Sequence, residues 1–345
     1  MKKILVTGGT GYIGSHTCVE LLMRGYDVVV VDNLVNSKKK TIDKIRQIVE
    51  MNAKLSPKSQ KIGSLEFIEC NLCNEKALEH VFRTHKFEAV IHFAGLKSVT
   101  ESASQPVLYY KNNIGGTLNL IEQMLASDVR KIIFSSSAAV YGHPHKLPVL
   151  ENFPLSSSTP YGTTKLYLER ILTDIASANP KFSVVLLRYA NPIGIHESGL
   201  IKEDPHGIPS NLAPCIAQVA VGLRPELIIY GNDYKTADGT AVRDYIHVVD
   251  LALGHIAALE KIKDAGVHIF NLGTGRGTSV LELLRAFEKS CGKSISYKIA
   301  ARRELEVGEC YVSCDKAKRM LDWVATKSID EAVESIMKHI NQKTR

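Results

Sequence analysis

The sequence offers little that would take it out of a watery, reducing environment. No apolar run approaches the ~20 residues a membrane-spanning helix needs. The cysteines (Cys18, Cys70, Cys73, Cys215, Cys291, Cys310 and Cys314) are odd in number and irregularly spaced. That argues against a disulfide framework. The one C-x-x-C, Cys70–Cys73, has no second pair to complete four zinc ligands, so no metal site is expected. No signal-peptide pattern precedes the first strand, at about Lys3, and a cytoplasmic location is expected. There is also no basic stripe interleaved with aromatics, so nucleic acid is not an expected partner. Lys and Arg exceed Asp and Glu by 43 to 36, a net charge of +7. The excess is scattered; its densest run, Lys38–Lys40, reads as a solvated stretch ahead of a helix. Internal repeats and low-complexity tracts are absent.

What is present is an ordinary globular composition, 45% hydrophobic and 23% charged over 345 residues. That length suits two domains, or one large domain with an elaborated second lobe. Short β-branched runs alternate with helical patterns through the first half. Strands are expected at Lys3–Thr7, Asp27–Val31, Leu65–Cys70, Ala89–Phe93, Lys131–Ser135 and Ser183–Arg188. Helices are expected at Tyr12–Arg24, Lys39–Leu55, Glu75–His85, Val107–Leu125 and Tyr161–Ala178. This spacing predicts an α/β fold: a Rossmann-type doubly wound parallel sheet, followed by a smaller α/β C-terminal substrate domain. After Arg188 glycine and proline become frequent. The boundary therefore falls between domains 1–188 and 189–345, with about 244–273 expected to pack back onto the first.

Ligands on parallel sheets sit beyond the carboxyl ends of the strands. There the first strand runs into Gly8-Gly-Thr-Gly11-Tyr12-Ile13-Gly14, which opens a helix. Gly8 and Gly11 allow a tight turn and a close approach to a pyrophosphate, and Gly14 allows close helix–sheet packing. Asp32 ends the second strand, 18 residues after Gly14. A carboxylate there accepts bonds from ribose hydroxyls and repels a 2′-phosphate, which favours NAD over NADP.

A second constellation follows the strand ending at Ser135. Ser135-Ser136-Ser137-Ala138-Ala139 precedes Tyr161-Gly-Thr-Thr-Lys165, and residues four apart share one helical face. Leu168 and Leu172 continue that face, so it points inward. A tyrosine and a lysine there are costly unless they do polar work. A free phenol, with a pKa of about 10, is a poor base at neutral pH; bringing it near 7 takes about 4 kcal/mol of differential stabilisation. A neighbouring ammonium and a positive nicotinamide are expected to provide it. Ser137 is placed to hold the substrate oxygen.

Together these residues resemble the extended short-chain dehydrogenase/reductase superfamily and, within it, the UDP-hexose 4-epimerases. The likeness runs nearly end to end through TGGTGYIGSHT, VDN, VIHFAGLKSVTES, FSSSAAVYG, PYGTTK, LLRYANPIG, EDPHGIPSNL, YGNDY, DGTAVRDYIHVVDLA and NLGTGRG. The resemblance implies that Tyr161 takes the proton of the sugar 4-hydroxyl while NAD takes the C4 hydride. The 4-keto sugar then turns and receives the hydride on its other face. Lys165 would hold the nicotinamide ribose. The implied cofactor contacts are Gly8, Gly11, Tyr12, Ile13, Gly14, Asp32, Asn33, Asn36, Asn71, Leu72, Phe93, Lys97, Lys165 and Tyr189. The implied UDP-sugar contacts are Lys97, Ser137, Ala138, Ala139, Tyr161, Asn191, Asn211, Leu212, Tyr230, Arg243, Arg303, Glu306 and Cys310. Arg243 is the implied diphosphate partner. A homodimer through two helices of the first domain is also implied.

The chain departs from the family pattern at several points. Ala139 replaces a usual threonine and Ala190 a usual phenylalanine. Asn71 replaces an acid that meets the adenine amine; its carbonyl can still accept that bond. Leu305 and Glu306 replace a Gly-Asp pair near the uridine ribose. Cys310 falls where the family carries either a bulky tyrosine or a small residue, and a small residue leaves space for an N-acetyl group. The same residues disfavour two other readings. A sugar-nucleotide 4,6-dehydratase needs an acid and a base where Ala138 and Ala139 stand. A non-catalytic NAD-binding module has no need of the Tyr161–Lys165 pair.

Overall fold

The computed structural model describes residues 2–55, 61–204, 211–303 and 307–340. In chain order the first half contains β1 (Lys3–Thr7), α1 (Tyr12–Met23), β2 (Asp27–Asp32), α2 (Lys40–Leu55), β3 (Leu65–Glu69), α3 (Glu75–Thr84) and β4 (Ala89–His92). Next come α4 (Val99–Ser104), α5 (Pro106–Tyr109), a π-helical turn (Tyr110–Gly115), α6 (Gly116–Ala126) and β5 (Lys131–Ser135). A 3-10 turn (Ala138–Tyr141), α7 (Pro160–Ala178) and β6 (Ser183–Tyr189) complete that half. The second half holds β7 (Asn191–Ile193), α8 (Leu212–Ala220), β8 (Leu227–Tyr230), β9 (Val242–Arg243), β10 (Tyr245–His247), α9 (Val248–Lys261) and β11 (Gly266–Leu272). It ends with β12 (Thr278–Ser279), α10 (Val280–Cys291), β13 (Tyr297–Ala300), β14 (Glu309–Cys310), α11 (Asp315–Leu321) and α12 (Ile329–Ile340).

Seven strands form one parallel sheet in the order β3-β2-β1-β4-β5-β6-β11. Their residues are apolar and β-branched because both faces are covered. One core packs α1, α2 and α9 against one face, and a second packs α3, α6 and α7 against the other. The chain runs outward from β1 to β3 and then crosses back to β4. The order therefore reverses between β1 and β4, which opens a crevice at their carboxyl ends. The second half has its own core around α8, α10 and α12. Its β11 nevertheless pairs with β6 along the full register from Gly266↔Ser183 to Leu272↔Tyr189.

The single helix expected over 107–125 is broken. Pro106 starts α5 at its first turn, and the π turn then inserts ahead of the Gly115–Gly116 pair. Glycine and asparagine are weak helix formers, and the wider turn lets Asn113 point inward. Its Oδ1 accepts the Leu96 N–H at 2.8 Å, and its Nδ2 donates to the Leu96 carbonyl at 3.0 Å and to Thr164 Oγ1 at 3.1 Å. The short strands β7 to β10 and β12 to β14 and helix α4 were not anticipated, since two to six residues carry too little periodicity.

Candidate active site

The crevice begins with backbone. Gly8 has φ of +69°, and a Cβ there would lie 2.7 Å from the Ala94 nitrogen just past β4. At Gly14 a Cβ would lie 2.4 Å from the Gly8 carbonyl oxygen. Only glycine lets α1 start this close to the β1 turn. Gly11 caps α1 without a side chain, so the first-turn N–H groups and the positive helix end remain for an anion. This cradle fits a dinucleotide pyrophosphate.

Asp32 is buried at the end of β2. It accepts the N–H groups of Thr10 (3.2 Å) and Leu34 (2.9 Å) and the Ser37 hydroxyl (3.0 Å). All three donors are neutral, and a carboxylate at this place disfavours a second phosphate. In the same turn Asn33 accepts the Val35 N–H at 3.2 Å, and Asn36 follows. Asn71 accepts the Cys73 N–H at 2.9 Å through Oδ1, leaving that oxygen one further lone pair for an amine. Leu72 accepts from Asn119 through its carbonyl at 2.9 Å. Phe93 continues β4 with its N–H on the Thr7 carbonyl at 3.0 Å. The Tyr12 hydroxyl donates to the Gly194 carbonyl at 2.5 Å and so ties α1 to the chain beyond β7.

The hydride corner is built by α7. Thr159 caps this helix by accepting the Gly162 N–H at 3.2 Å, and Pro160 fixes the first turn. Tyr161 and Lys165 then share a face with the buried Leu168 and Leu172. Lys165 is 6% exposed; its Nζ donates to the Ser135 carbonyl at 2.7 Å and lies 4.8 Å over the Phe134 ring. Ser137 accepts the Ala139 N–H at 3.1 Å, and its hydroxyl lies beside the Tyr161 phenol, where it favours the ionised form. Tyr189 bonds the Ser135 hydroxyl.

The electrostatics differ from the sequence expectation. Burial pushes the Tyr161 phenol above its ordinary value, opposed by the Ser137 hydrogen bond. Burial also lowers Lys165 to about 8, opposed by Glu169. In the protein alone burial therefore works against the phenolate. A cationic nicotinamide is what this corner still requires.

The substrate side gathers in three clusters. Arg243 on β9 is the Cα partner of Cys310 on β14, and its Nη1 donates to the Val242 carbonyl at 2.8 Å. Asn191 donates its N–H to the Asp244 carbonyl at 3.0 Å, beside Arg243. Cys310 packs with Ala138 around Val140, Tyr141, Val149 and Val312, which joins this cluster to the hydride corner next to Ala139. The Arg303 guanidinium lies 4.0 Å over the Tyr230 ring. Asn211 precedes Leu212 at the start of α8; its amide donates to Glu203 Oε1 at 2.6 Å, and Lys97 donates to the same oxygen at 2.9 Å. Glu306 and Leu305 lie outside the described residues.

Three site-building residues escaped sequence reasoning. Asn113 holds the Leu96 backbone against α7, and its only signal is a polar pair inside a helical stretch. Glu203 joins Lys97 to Asn211. Asp244, fully buried, accepts the Thr274 N–H (2.8 Å), the Thr274 hydroxyl (2.7 Å) and the Gly275 N–H (3.2 Å), and so fixes the turn opposite Arg243.

The chain was compared with known proteins. Residues 4–273 match the model of the NAD dependent epimerase/dehydratase family. A UDP-glucose 4-epimerase of Bacillus subtilis is 52% identical over 329 residues, covering 95% of this chain and 94% of that protein. The crystal structure of a Bifidobacterium longum UDP-glucose 4-epimerase in complex with NAD+ and UDP superposes with a TM-score of 0.93 at 46% identity, covering 99% of both chains. A UDP-Glc/GlcNAc 4-epimerase of Campylobacter jejuni has a TM-score of 0.82 at 35% identity, covering 99% of this chain and 100% of that one.

Proposed function

Since the chain belongs to the NAD dependent epimerase/dehydratase family, we propose that it inverts C4 of UDP-hexoses, interconverting UDP-glucose and UDP-galactose through a transient 4-keto sugar. The observation that carries this reading is the joining of two constellations. The glycine cradle faces the crevice, and Tyr161, Lys165 and Ser137 meet at the ends of the neighbouring strands.

Bound NAD supplies hydride acceptance and return at C4. The remaining work falls to side chains. Ser137 donates to the sugar 4-oxygen, and Tyr161 accepts the 4-hydroxyl proton and later returns it. Lys165 orients the nicotinamide ribose from its anchor on the Ser135 carbonyl, and its charge favours the phenolate once nicotinamide is beside it. Gly8, Gly11, Tyr12, Ile13 and Gly14 cradle the pyrophosphate. Asp32, Asn33 and Asn36 hold the adenosine ribose, Asn71 and Leu72 border the adenine, and Phe93, Lys97 and Tyr189 border the nicotinamide half. Arg243 and Arg303 meet the diphosphate and nucleoside of the substrate, with Asn191, Asn211, Leu212 and Tyr230. Ala138 and Ala139 supply no acid or base to expel water, which separates this site from dehydratase chemistry.

Residues 1–188 form the NAD domain and 189–345 the UDP-sugar domain, with 244–273 returning to the first. Cys310 packs in one cluster with Ala138, and its small side chain, at a position where the family also carries tyrosine, supports UDP-GlcNAc and UDP-GalNAc as further substrates. Exposed Leu118 on α6 and Tyr167 on α7, with Val99, Val107 and Leu108 nearby, support a homodimer through two helices of the first domain. Among the described residues no helix is long and apolar enough to cross a membrane; the proposed location is the cytoplasm. The test is incubation of purified protein with UDP-galactose and no added NAD. UDP-glucose forms over many turnovers if bound cofactor is restored each cycle; turnover that depends on consumption of added NAD contradicts the reading.

A further inference from the structure

Behind Tyr161 and Lys165 lies a buried polar network that the reaction above does not use. Glu169 stands one turn beyond Lys165 on α7. Arg188, 2% exposed near the end of β6, donates from Nε to its two oxygens at 2.9 and 3.1 Å and from Nη2 at 2.6 Å. The Ser136 hydroxyl donates to Glu169 Oε1 at 2.5 Å. Arg188 Nη1 reaches the Tyr141 hydroxyl at 3.1 Å and the Glu151 carbonyl at 2.9 Å. Tyr141 in turn donates to Asn271 Oδ1 on β11 at 2.6 Å. The network thus grips the chain on both sides of Ser137, at Ser136 before it and at Tyr141 after it.

We propose that Glu169, held by Arg188, is a positioning residue for the epimerisation: through Ser136 it sets the corner that presents Ser137 to Tyr161 and the Ser135 carbonyl to Lys165. The proposal rests on the assignment of Tyr161 and Lys165 given above. Three consecutive serines make three attachments along one row of α7. Ser137 faces Tyr161, the Ser135 carbonyl binds Lys165, and Ser136 binds Glu169. Stability alone is a weak reason for such a pair, because a buried ion pair is often replaceable by apolar side chains without loss. Its place beside the reacting groups is the stronger reason. Two titratable groups act on Lys165, Glu169 from α7 and His92 from β4; Tyr161 shares its helical face, Tyr189 from β6 acts on Tyr161, and Arg188 from β6 is joined to it through Glu169. Burial holds His92 at about 3, so it is neutral. Glu169 is the one carboxylate in this set, and it sustains Lys165 protonation against burial.

Three variants test this: Ser136→Ala, Glu169→Gln and Glu169→Gln with Arg188→Met. Ser136→Ala changes no charge and removes only the link to the corner. It lowers kcat about tenfold, as expected for losing a bond to a charged group, with KM within about twofold and the pH profile in place. Glu169→Gln leaves Arg188 uncompensated, which disfavours protonated Lys165. The alkaline limb of kcat therefore moves to lower pH, and the double variant, which restores the net charge, moves it back. A parent-like kcat in Ser136→Ala overturns the proposal. So does a parent-like pH profile in a folded Glu169→Gln protein of reduced activity, since that is a merely structural effect. If Glu169→Gln does not fold, Ser136→Ala alone decides. Inactive Tyr161→Phe alongside parent-like Ser136→Ala would sink the positioning role and leave the catalytic assignment standing.

Discussion

The two halves of the site are built by different means. In the proposed cofactor half the pyrophosphate cradle is backbone, with the Gly8–Gly14 turn, the uncapped start of α1 and the Ala94 nitrogen all in close approach. In the proposed substrate half the working surface is side chains on short strands and turns, with Arg243 beside Cys310, Arg303 over Tyr230, and Lys97 and Asn211 on Glu203. A backbone site tolerates almost no added atom, whereas a side-chain site can be reshaped one residue at a time. The cofactor is therefore the fixed element of the enzyme and the sugar the adjustable one. Tyr161 and Lys165 lie at the seam between the halves.

The largest effect is expected at the seam. Tyr161→Phe should lower kcat by about 10²- to 10⁴-fold, the usual worth of a positioned acid–base group. NAD content should stay at the parent level, as measured by cofactor released on denaturation. Next comes the backbone half. Gly14→Ala puts a methyl 2.4 Å from the Gly8 oxygen, and overpacking of this kind costs about 1–3 kcal/mol. The purified variant should carry little NAD and melt at a lower temperature, while its residual activity recovers with added NAD. The smallest and most selective effect belongs to the side-chain half. Cys310→Tyr should abolish turnover of UDP-GlcNAc and spare UDP-glucose; equal loss of both would show that position 310 is packing alone.

The same contrast explains what the sequence made legible. The cradle, Asp32 and the Tyr161–Lys165 pair could be read because their geometry is local, a strand end, a turn and one helical repeat. The doubly wound parallel sheet followed from alternating short apolar runs and helical patterns, and its seventh strand, β11, comes from the segment expected to pack back. Asn113, Glu203 and Glu169 could not be read, because each acquires its meaning from distant partners. Asn113 needs Leu96 and Thr164, Glu203 needs Lys97, and Glu169 needs Ser136 and Arg188. The anchor of Lys165 could not be read for a related reason. Spacing put the two residues on one face, but only the folded chain showed the ammonium turned to the Ser135 carbonyl.

The central claim is that one hydride leaves C4 and returns to the same carbon without leaving the protein. The direct measurement is conversion of UDP-galactose carrying deuterium at C4, in ordinary water, by protein with no added NAD. The account predicts UDP-glucose that retains the deuterium at C4, with no NADH released to solution. Deuterium lost to solvent, or a released 4-keto sugar matched by NADH, would contradict it.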